Sequence, residues 1–196
     1  MEILKNFFVL EGLDGSGTTT QGKLLNEKIT HSVFTHEPTN GKIGQLARQV
    51  LKNEYPTTPL ALAHIFAADR SEHLFAKDGI VNQCQSGLKV ICDRYFFSSV
   101  AYQSLEVDFD LICQINNQFP LPQILFFIDT PVEVCLQRIS SRNESEIFDK
   151  KNLQEKVLTN YLKILDRFQN QGMQIIKIDG TQTVEQILAE ELQYLI

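Results

Sequence analysis

Short apolar runs alternate along the chain with longer segments whose apolar residues recur at helical spacing. The short runs are rich in aromatic and β-branched residues, which favour strands. They predict five strands: Asn6–Glu11, Val33–Thr35, Leu88–Asp93, Ile124–Asp129 and Met173–Ile178. Because these runs are apolar at successive positions, both faces of each strand are expected to be buried. Such strands alternating with helices predict an α/β fold with a parallel sheet covered on both sides.

The segments between the strands are predicted to be helices. They are Thr19–Ile29, Ile43–Lys52, Pro59–Gln85, Phe96–Leu105, Asp108–Asn117, Pro131 to about Arg142, Ile147–Asn170 and Thr183–Ile196. The polar stretch Ser140–Glu146 interrupts two of them and is predicted to be either an ordinary loop or a mobile lid. A length of 196 residues without internal repeats or linkers predicts a single domain over residues 1–196.

Charge and composition exclude several classes of protein. A formal net charge of −6 argues against binding along DNA or RNA, although a small anion could still bind in a local positive pocket. The four cysteines lack CxxC spacing and the four histidines form no zinc motif, so buried, reduced cysteines and a cytoplasmic location are expected. No apolar run approaches the roughly 20 residues of a membrane span, and the N-terminus lacks the features of a targeting segment.

A glycine-rich segment follows the first predicted strand and indicates a phosphate-binding loop. Gly12 and Gly17 have the spacing of the Walker A pattern, and Thr19 occupies its Ser/Thr position. Thr18 stands where the pattern has lysine. Backbone N–H groups of such a loop and of the following helix bind phosphate oxygens, and Thr19 is suited to reach Mg²⁺. The alternative is a glycine-rich turn without a ligand. The candidate ATP-binding residues of this segment are Gly12, Asp14, Gly15, Ser16, Gly17, Thr18, Thr19 and Thr20.

A second candidate site lies at the end of the third predicted strand, where Asp93, Arg94 and Tyr95 follow one another. Ligands of open α/β sheets bind at the carboxyl ends of the strands, so this trio and the glycine-rich loop are expected to share a crevice. Asp93 is suited, with Thr19, to organise Mg²⁺, and Arg94 to bind phosphoryl oxygens with both arms of its guanidinium. The alternative for these charges is a surface salt bridge.

Six segments, taken in order, resemble those of thymidylate kinases, the nucleoside-monophosphate kinases that phosphorylate dTMP. They are FFVLEGLDGSGTTTQ, THEPTNGKIG, FAADRSEH, ICDRYFFSSVAYQ, ILFFIDTPVEVCLQR and NYLKI. The resemblance implies a three-layer P-loop kinase fold with a central five-stranded parallel sheet, helices on both faces and a short lid at about residues 140–148. It also implies an ATP- and Mg²⁺-dependent conversion of dTMP to dTDP by a homodimer.

The resemblance assigns an acceptor site to residues that match the family's motifs. Phe66 is expected to stack on thymine and Arg70, one helical turn later, to hydrogen-bond the base edge; without the resemblance they would be interpreted as a core phenylalanine and a solvated arginine. Tyr102 and Gln103 are expected to crowd the sugar and touch the base, which would favour deoxyribose. The implied acceptor residues are Glu37, Pro38, Phe66, Arg70, Arg94, Ser99, Tyr102 and Gln103.

The resemblance also assigns residues to the phosphates. Asp14 and Glu37 are expected near the acceptor phosphate, its magnesium ion and the sugar hydroxyl. Arg138 and Arg142 flank the polar stretch and are expected to close over the phosphates of ATP; the alternative is two solvated arginines at a helix end. The implied catalytic residues are Asp14, Asp93, Arg94 and Arg142.

The chain departs from the family pattern at three positions. Thr18 replaces the lysine, His36 stands where many members have arginine, and Ile147 falls near a position where the bacterial lid usually carries arginine. Neutralisation of the transferred charge is therefore expected to depend on Arg94, Arg142, Mg²⁺ and backbone amides.

Two alternatives to a thymidylate kinase stay open from the sequence. One is a nucleotide-binding protein of the same fold that has lost transfer, which the missing lysine favours. The other is a deoxynucleoside kinase or another deoxynucleoside-monophosphate kinase. Deoxynucleoside kinases usually carry Glu-Arg-Ser in place of Asp93-Arg94-Tyr95, which argues against them.

Overall fold

The computed structural model describes residues 1–140 and 151–195, with only the main chain of Ser140. The lid predicted at residues 140–148 therefore lies outside the described residues, apart from the main chain of Ser140. Arg142 and Ile147 lie outside them too, as does the start of the helix predicted at Ile147–Asn170.

The strands form one five-stranded sheet. They are β1 (Ile3–Gly12), β2 (Ser32–His36), β3 (Lys89–Asp93), β4 (Leu121–Asp129) and β5 (Gln174–Asp179). Their order is β2-β3-β1-β4-β5, and every neighbouring pair is parallel. The predicted α/β fold with a five-stranded parallel sheet is confirmed.

Helices cover both faces of the sheet. They are α1 (Thr18–Lys28), α2 (Lys42–Leu51), α3 (Pro59–Phe75), α4 (Ile80–Gln85), α5 (Phe96–Gln103), α6 (Phe109–Asn116), α7 (Val132–Ser140), α8 (Lys151–Phe168) and α9 (Val184–Leu192). Helices α1 and α9 pack on one face through residues such as Leu25 and Ile187. Helices α3 to α8 pack on the other through residues such as Phe97 and Tyr161. The result is the three-layer arrangement expected from the resemblance.

The central strand β1 shows why the strand segments are apolar at successive positions. Phe7 and Val9 point into the core on the α3–α8 side, and Phe8 and Leu10 into the core on the α1–α9 side. All four are buried. Successive side chains of a strand point to opposite faces, so two covered faces require this uninterrupted apolar run.

The helix predicted over Pro59–Gln85 is wrong as a single element, because the chain turns between α3 and α4. Helix α3 ends at Phe75, and the N–H of Gly79 donates to the carbonyl of Ala76 (2.8 Å). A Cβ on Gly79 would lie only 2.6 Å from the carbonyl oxygen of Leu74. The turn therefore brings backbone atoms five residues apart so close that only glycine fits at position 79, and the periodicity of the segment does not reveal it.

Two expectations about side chains and membranes can be compared with the described residues. All four cysteines are buried and have free thiols. None of the described helices combines the length and apolar character needed to cross a membrane.

Glu191 is an exception in the core beneath α9, because it is a buried carboxyl group. Neither of its carboxylate oxygens has a hydrogen-bond partner among the described residues. Burial, with a smaller contribution from Glu190, raises the pKa of Glu191 from 4.5 to about 8. At neutral pH this carboxyl is mostly protonated in the folded chain and ionised in the unfolded chain, so its contribution to stability decreases as the pH rises from 4.5 to about 8.

We expect Glu191→Gln to remove this pH dependence. At pH 8 the variant should have a free energy of unfolding about 2–4 kcal/mol higher than the wild type, given roughly 1.4 kcal/mol per pKa unit, and should therefore unfold at a higher urea concentration. At pH 5 the difference should be much smaller. The exposed Glu185 on the same helix provides the control, since Glu185→Gln should show no such difference between the two pH values. An equal effect of Glu191→Gln at both pH values would contradict proton uptake by Glu191 on folding.

Candidate active site

A cleft of about 1130 Å³ opens at the carboxyl ends of β1, β2 and β3. All eight residues of the predicted acceptor set line it. Thr19 and Asp93, the predicted metal pair, line the same cleft, as does Asp14. Residues that are far apart in the sequence therefore meet in one space, as expected for the carboxyl edge of a parallel sheet.

The loop between β1 and α1 has glycines at three positions where a side chain is disfavoured, either by close neighbours or by a positive φ. Gly15 has φ 88°, and a Cβ there would lie 2.5 Å from the carbonyl oxygen of Cys135. Gly12 has a regular conformation, but its Cβ would lie 2.5 Å from the hydroxyl of Ser16. Gly17 has φ 111° and precedes the first residue of α1. These constraints shape a loop of the kind whose N–H groups bind phosphate.

The helix that follows this loop begins without a lysine and without a side-chain cap. Thr18 is buried, and Gly17 supplies no side-chain hydrogen bond to the first turn of α1. The uncapped start of a helix suits an anion because its N–H groups and dipole are positive. Arg138 on α7 donates hydrogen bonds to the carbonyls of Gly15 (3.4 Å) and Ser16 (3.2 Å). The Arg138 guanidinium therefore stabilises the loop by hydrogen bonds to the loop's carbonyl groups.

Thr19 and Asp93 join the loop to the end of β3. The hydroxyl of Thr19 donates a hydrogen bond to Oδ2 of Asp93. Asp93 is buried, and its Oδ1 has no hydrogen-bond partner among residues 1–140 and 151–195. A hydroxyl and a carboxylate oxygen without a partner are oxygen donors of the type that Mg²⁺ prefers.

Arg94 lines the cleft and contacts both the phosphate loop and α5. Its Nη1 donates to the carbonyl of Gly12 (3.1 Å) and to the hydroxyls of Ser98 (3.2 Å) and Tyr161 (3.3 Å). Its Nη2 donates to the carboxylate of Asp14. Burial acts to lower the pKa of Arg94, but chiefly the Asp14 carboxylate raises it well above its ordinary value. The guanidinium is therefore a permanent cation held in one place.

Arg70 forms a second fixed guanidinium, deeper in the cleft. It is 1% exposed. Nε donates to Glu37 (2.8 Å), Nη1 to the side-chain oxygen of Asn116 (2.6 Å) and Nη2 to the hydroxyl of Ser99 (2.9 Å). Nη2 also lies 2.8 Å from Oε2 of Glu37. These contacts fix the plane of a group that has only N–H donors.

Aromatic rings enclose the same guanidinium. The Arg70 guanidinium carbon lies 5.3 Å from the centre of the Tyr95 ring and 5.5 Å from that of Phe119. Phe66, one helical turn before Arg70 on α3, is half-buried and lines the cleft. This end of the cleft therefore combines an aromatic face with an array of N–H donors, which suits a flat polar ring.

The segment after β2 is held by a cation and a carboxylate. His36 contacts the carbonyl of Pro38 through Nδ1 (2.9 Å), and Arg48 donates to the carbonyls of Pro38 and Thr39. Asp69 accepts hydrogen bonds from the N–H (2.7 Å) and the hydroxyl (2.6 Å) of Thr39. Arg48 therefore places a cation beside His36. His36 is the residue that stands where many members of the family that the sequence resembles have arginine.

Comparison with known proteins identifies the family. A model described as thymidylate kinase matches residues 10–190. The chain belongs to the thymidylate kinase family. A relative from Treponema pallidum, described as a thymidylate kinase, is 39% identical over 201 residues, which cover 100% of this chain and 97% of the relative. Another, from Pyrococcus horikoshii, is 41% identical over 173 residues, 83% of each chain.

The fold also matches a solved thymidylate kinase structure. The thymidylate kinase from Candida albicans aligns with a TM-score of 0.75 over 96% of this chain and 90% of that chain, at 24% sequence identity. This likeness supports the three-layer fold of the thymidylate kinase family. The resemblance identified from the sequence motifs is confirmed.

Of the predicted ATP-binding residues, Asp14 and Thr19 line the cleft, whereas Gly12, Gly15, Ser16, Gly17, Thr18, Thr20 and Arg138 are not among its lining residues. Arg138 binds carbonyls of the phosphate loop, as well as that of Gly180 (2.9 Å). Thr20 is exposed on the first turn of α1. Arg142 lies outside the described residues. The assignment of these residues to ATP therefore stays a prediction.

Several residues that hold the site were missed by sequence reasoning. They are Glu11, Arg48, Ser98, Asn116 and Tyr161. Glu11 had a signal, because it is an acidic residue at the end of an otherwise apolar strand beside the phosphate loop. Tyr161 and Asn116 had none, since their partners lie far away in the sequence: Tyr161 is 150 residues from Glu11, and Asn116 is 46 from Arg70. Ser98 and Arg48 have nearer partners, Arg94 and Pro38, but belong to no motif that was recognised.

The glycine positions of the thymidylate kinase loop lead to a test on stability. Gly15 and Gly87 have nearly the same φ, 88° and 89°, but only Gly15 has a neighbour within 4 Å of its added Cβ. Gly87→Ala should therefore lower the free energy of unfolding by about 1–2 kcal/mol, which is the strain of a left-handed conformation in a residue with a Cβ. Gly15→Ala should cost at least about 2 kcal/mol more, because it also displaces the Cys135 carbonyl. Urea unfolding of both variants measures the difference, and equal losses would contradict the close approach at Gly15.

Proposed function

We propose that this protein is a thymidylate kinase that transfers the γ-phosphoryl group of ATP to dTMP, giving ADP and dTDP. The position of Arg94 carries the proposal: its guanidinium contacts the phosphate loop at Gly12 and lies in the same cleft as Phe66 and Arg70. A donor phosphate on the loop and an acceptor phosphate in the cleft would then share one cation. Membership of a phosphotransferase family supports the same reaction.

The deep end of the cleft supports thymine as the base. Arg70 presents only donors, and the side-chain oxygen of Gln103 is buried with no hydrogen-bond partner among the described residues. Thymine offers keto oxygens to an arginine and an N–H to an amide oxygen, whereas cytosine would direct its amino group at a donor. Phe66 offers a ring for the base to stack on, and Tyr102, which accepts a hydrogen bond from the Asp14 N–H (3.2 Å), would crowd the sugar.

Transfer itself depends on positioning and charge. A phosphate oxygen of the acceptor is already ionised near pH 7, so the reaction needs no general base. Arg94 would bind oxygens of both phosphates, and Asp14 would keep its guanidinium in place. The start of α1 would bind the phosphates of ATP, and Arg138 would stabilise the loop that holds them. Arg142 is proposed as a further cation over these phosphates.

Thr19 and Asp93 fit a magnesium site. Mg²⁺ is usually held by one or two protein carboxylates or hydroxyls together with phosphate oxygens and waters. Asp93 has a buried carboxylate oxygen without a partner among the described residues, and the Thr19 hydroxyl lies against the other oxygen. We propose that these two residues hold the ion. When bound, Mg²⁺ would supply charge neutralisation at the ATP phosphates.

A second candidate function is nucleotide binding without transfer. Thr18 favours it, because the loop lacks the lysine that contacts the β- and γ-phosphates in a Walker A loop. The fixed guanidinium group of Arg94 favours transfer, because a binding protein has no need of a cation between two phosphates.

A coupled ADP-release assay with MgATP distinguishes these functions. We expect turnover with dTMP and, because its amino group would face Arg70, at least about 100-fold lower kcat/KM with dCMP. Thymidine, which lacks the acceptor phosphate, should not be phosphorylated. Measurable binding of dTMP without turnover would support the binding protein instead, and preferred turnover of thymidine would indicate a deoxynucleoside kinase.

We further propose that the enzyme is a cytoplasmic homodimer. The four free, buried cysteines support a reducing compartment. Exposed apolar side chains on α3 and α6, two helices that pack together, support a subunit contact; they are Leu60, Phe75 and Leu111. Sedimentation velocity at micromolar concentration should show the mass of two 22.4 kDa chains, and a species of one chain's mass would contradict the dimer.

A further inference from the structure

Glu11 is a buried carboxylate beside the cleft for which the proposed transfer has no use. It is 0% exposed and lies one residue before the end of β1. Its Oε1 accepts hydrogen bonds from the N–H groups of Tyr95 (2.8 Å) and Ser98 (3.2 Å). Its Oε2 accepts from the hydroxyls of Ser98 and Tyr161 (2.9 Å). Four donors therefore fix the carboxylate, and a buried charge is costly unless it is held in this way.

The two hydroxyls bound to Glu11 are the ones that hold Arg94. Nη1 of Arg94 lies 3.2 Å from the Ser98 hydroxyl and 3.3 Å from the Tyr161 hydroxyl. The two hydroxyl oxygens are themselves 2.8 Å apart. Glu11, Ser98, Tyr161 and Arg94 thus form one closed set of contacts between β1, α5, α8 and the end of β3.

The directions of the hydroxyl protons depend on the charge of Glu11. A hydroxyl has one proton to donate and lone pairs to accept. When the carboxylate is ionised, both protons point to its Oε2, and both oxygens turn lone pairs to the guanidinium of Arg94. When Glu11 carries a proton, it donates to one of these hydroxyls, whose own proton then turns away from the carboxylate. A hydroxyl proton directed at Arg94 would face a group that has only donors.

We propose that Glu11 is a positioning residue for Arg94, and that its carboxylate acts through Ser98 and Tyr161 to hold the guanidinium between the two phosphates. The catalytic part of this inference rests on the proposed kinase function. Its structural part, the placement of Arg94 for a nucleotide phosphate, does not.

The ionisation of Glu11 makes this positioning sensitive to pH near neutrality. Burial raises the pKa of Glu11 to about 7, against the opposing effects of Arg94, the Ser98 and Tyr161 hydroxyls and the Tyr95 N–H. The pKa values of Tyr161 and Tyr95 are raised well above 10, mainly by burial, so neither ring ionises near pH 7. Arg94 stays charged. Below pH 7 Glu11 is mostly protonated, and above it the positioning form prevails, so activity should rise with pH through about 7.

The kinetic test compares the wild type with Glu11→Gln between pH 6 and 8.5. The amide keeps the shape of the side chain but places an uncharged, fixed group against the hydroxyls. We expect kcat to fall by about 10- to 100-fold at pH 8, the scale of a misplaced catalytic group, and KM for ATP to change by less than about threefold. The ratio of wild-type to variant kcat should increase with pH through about 7. Because the substrate phosphate ionises in the same way with both enzymes, its effect cancels in this ratio.

Glu191→Gln is the matched control, because it makes the same change at a buried carboxyl with a raised pKa outside the cleft. It should leave kcat and its pH profile unchanged. Tyr161→Phe provides a second variant if Glu11→Gln folds poorly, since it keeps the ring and removes one linking hydroxyl. It should lower kcat as well, and the double variant should lose less than the product of the two single effects.

Binding affinities measured by isothermal titration calorimetry test the placement of Arg94 by Glu11 without requiring turnover. Thymidine occupies the base pocket but has no phosphate for Arg94. Glu11→Gln should therefore bind thymidine like the wild type and bind dTMP about 3- to 10-fold more weakly at pH 8. Wild-type kcat and pH profile in Glu11→Gln, or equal losses of thymidine and dTMP affinity, would overturn the inference. Absence of turnover in the wild type would overturn the kinase function, and the two affinities would still decide the role of Glu11.

Discussion

The arrangement of the cleft depends on one residue, Arg94, that joins the ends of two neighbouring strands. It leaves β3 with φ 70°, a left-handed conformation, and its N–H donates to the carbonyl of Leu10 on β1 (2.9 Å). This turn returns the side chain across the end of β1, where it binds the Gly12 carbonyl and the Asp14 carboxylate. The backbone strain, about 1–2 kcal/mol for a residue with a Cβ, is offset by hydrogen bonds that connect β1, β3, α5 and α8.

The cations of the cleft are paired, and this explains how an acidic chain can hold phosphates. Arg94 lies against Asp14 and Arg70 against Glu37, so neither guanidinium is a free positive charge. A carboxylate contacts one side of each guanidinium group, and further protein acceptors hold the group in a fixed orientation. The net charge of −6 therefore has little bearing on the site, whose selectivity depends on fixed N–H directions more than on a broad positive field.

The parts of the structure that were predictable from the sequence are those set by local patterns. The apolar run of β1 revealed two buried faces, and the spacing of Gly12 and Gly17 revealed the phosphate loop. The turn at Gly79 was not predictable, because it depends on the approach of the Leu74 carbonyl. Most partners of Arg94 were hidden for a different reason: the hydroxyl of Tyr161, for example, lies 67 residues away in the chain. Local patterns place the functional groups, whereas the contacts that orient them depend on tertiary packing.

The start of α5 links the two fixed guanidinium groups of the cleft. Ser98 binds Arg94, and the next residue, Ser99, binds Arg70. Because consecutive residues of a helix point about 100° apart, one turn of α5 can hold both guanidinium groups in fixed directions. Glu11 then anchors this turn to β1 through the N–H and the hydroxyl of Ser98. The relative position of the two guanidinium groups is thus set by one turn of a helix that is anchored to a central strand. Under the proposed function, this turn would fix where the base and the phosphate of a bound nucleotide lie.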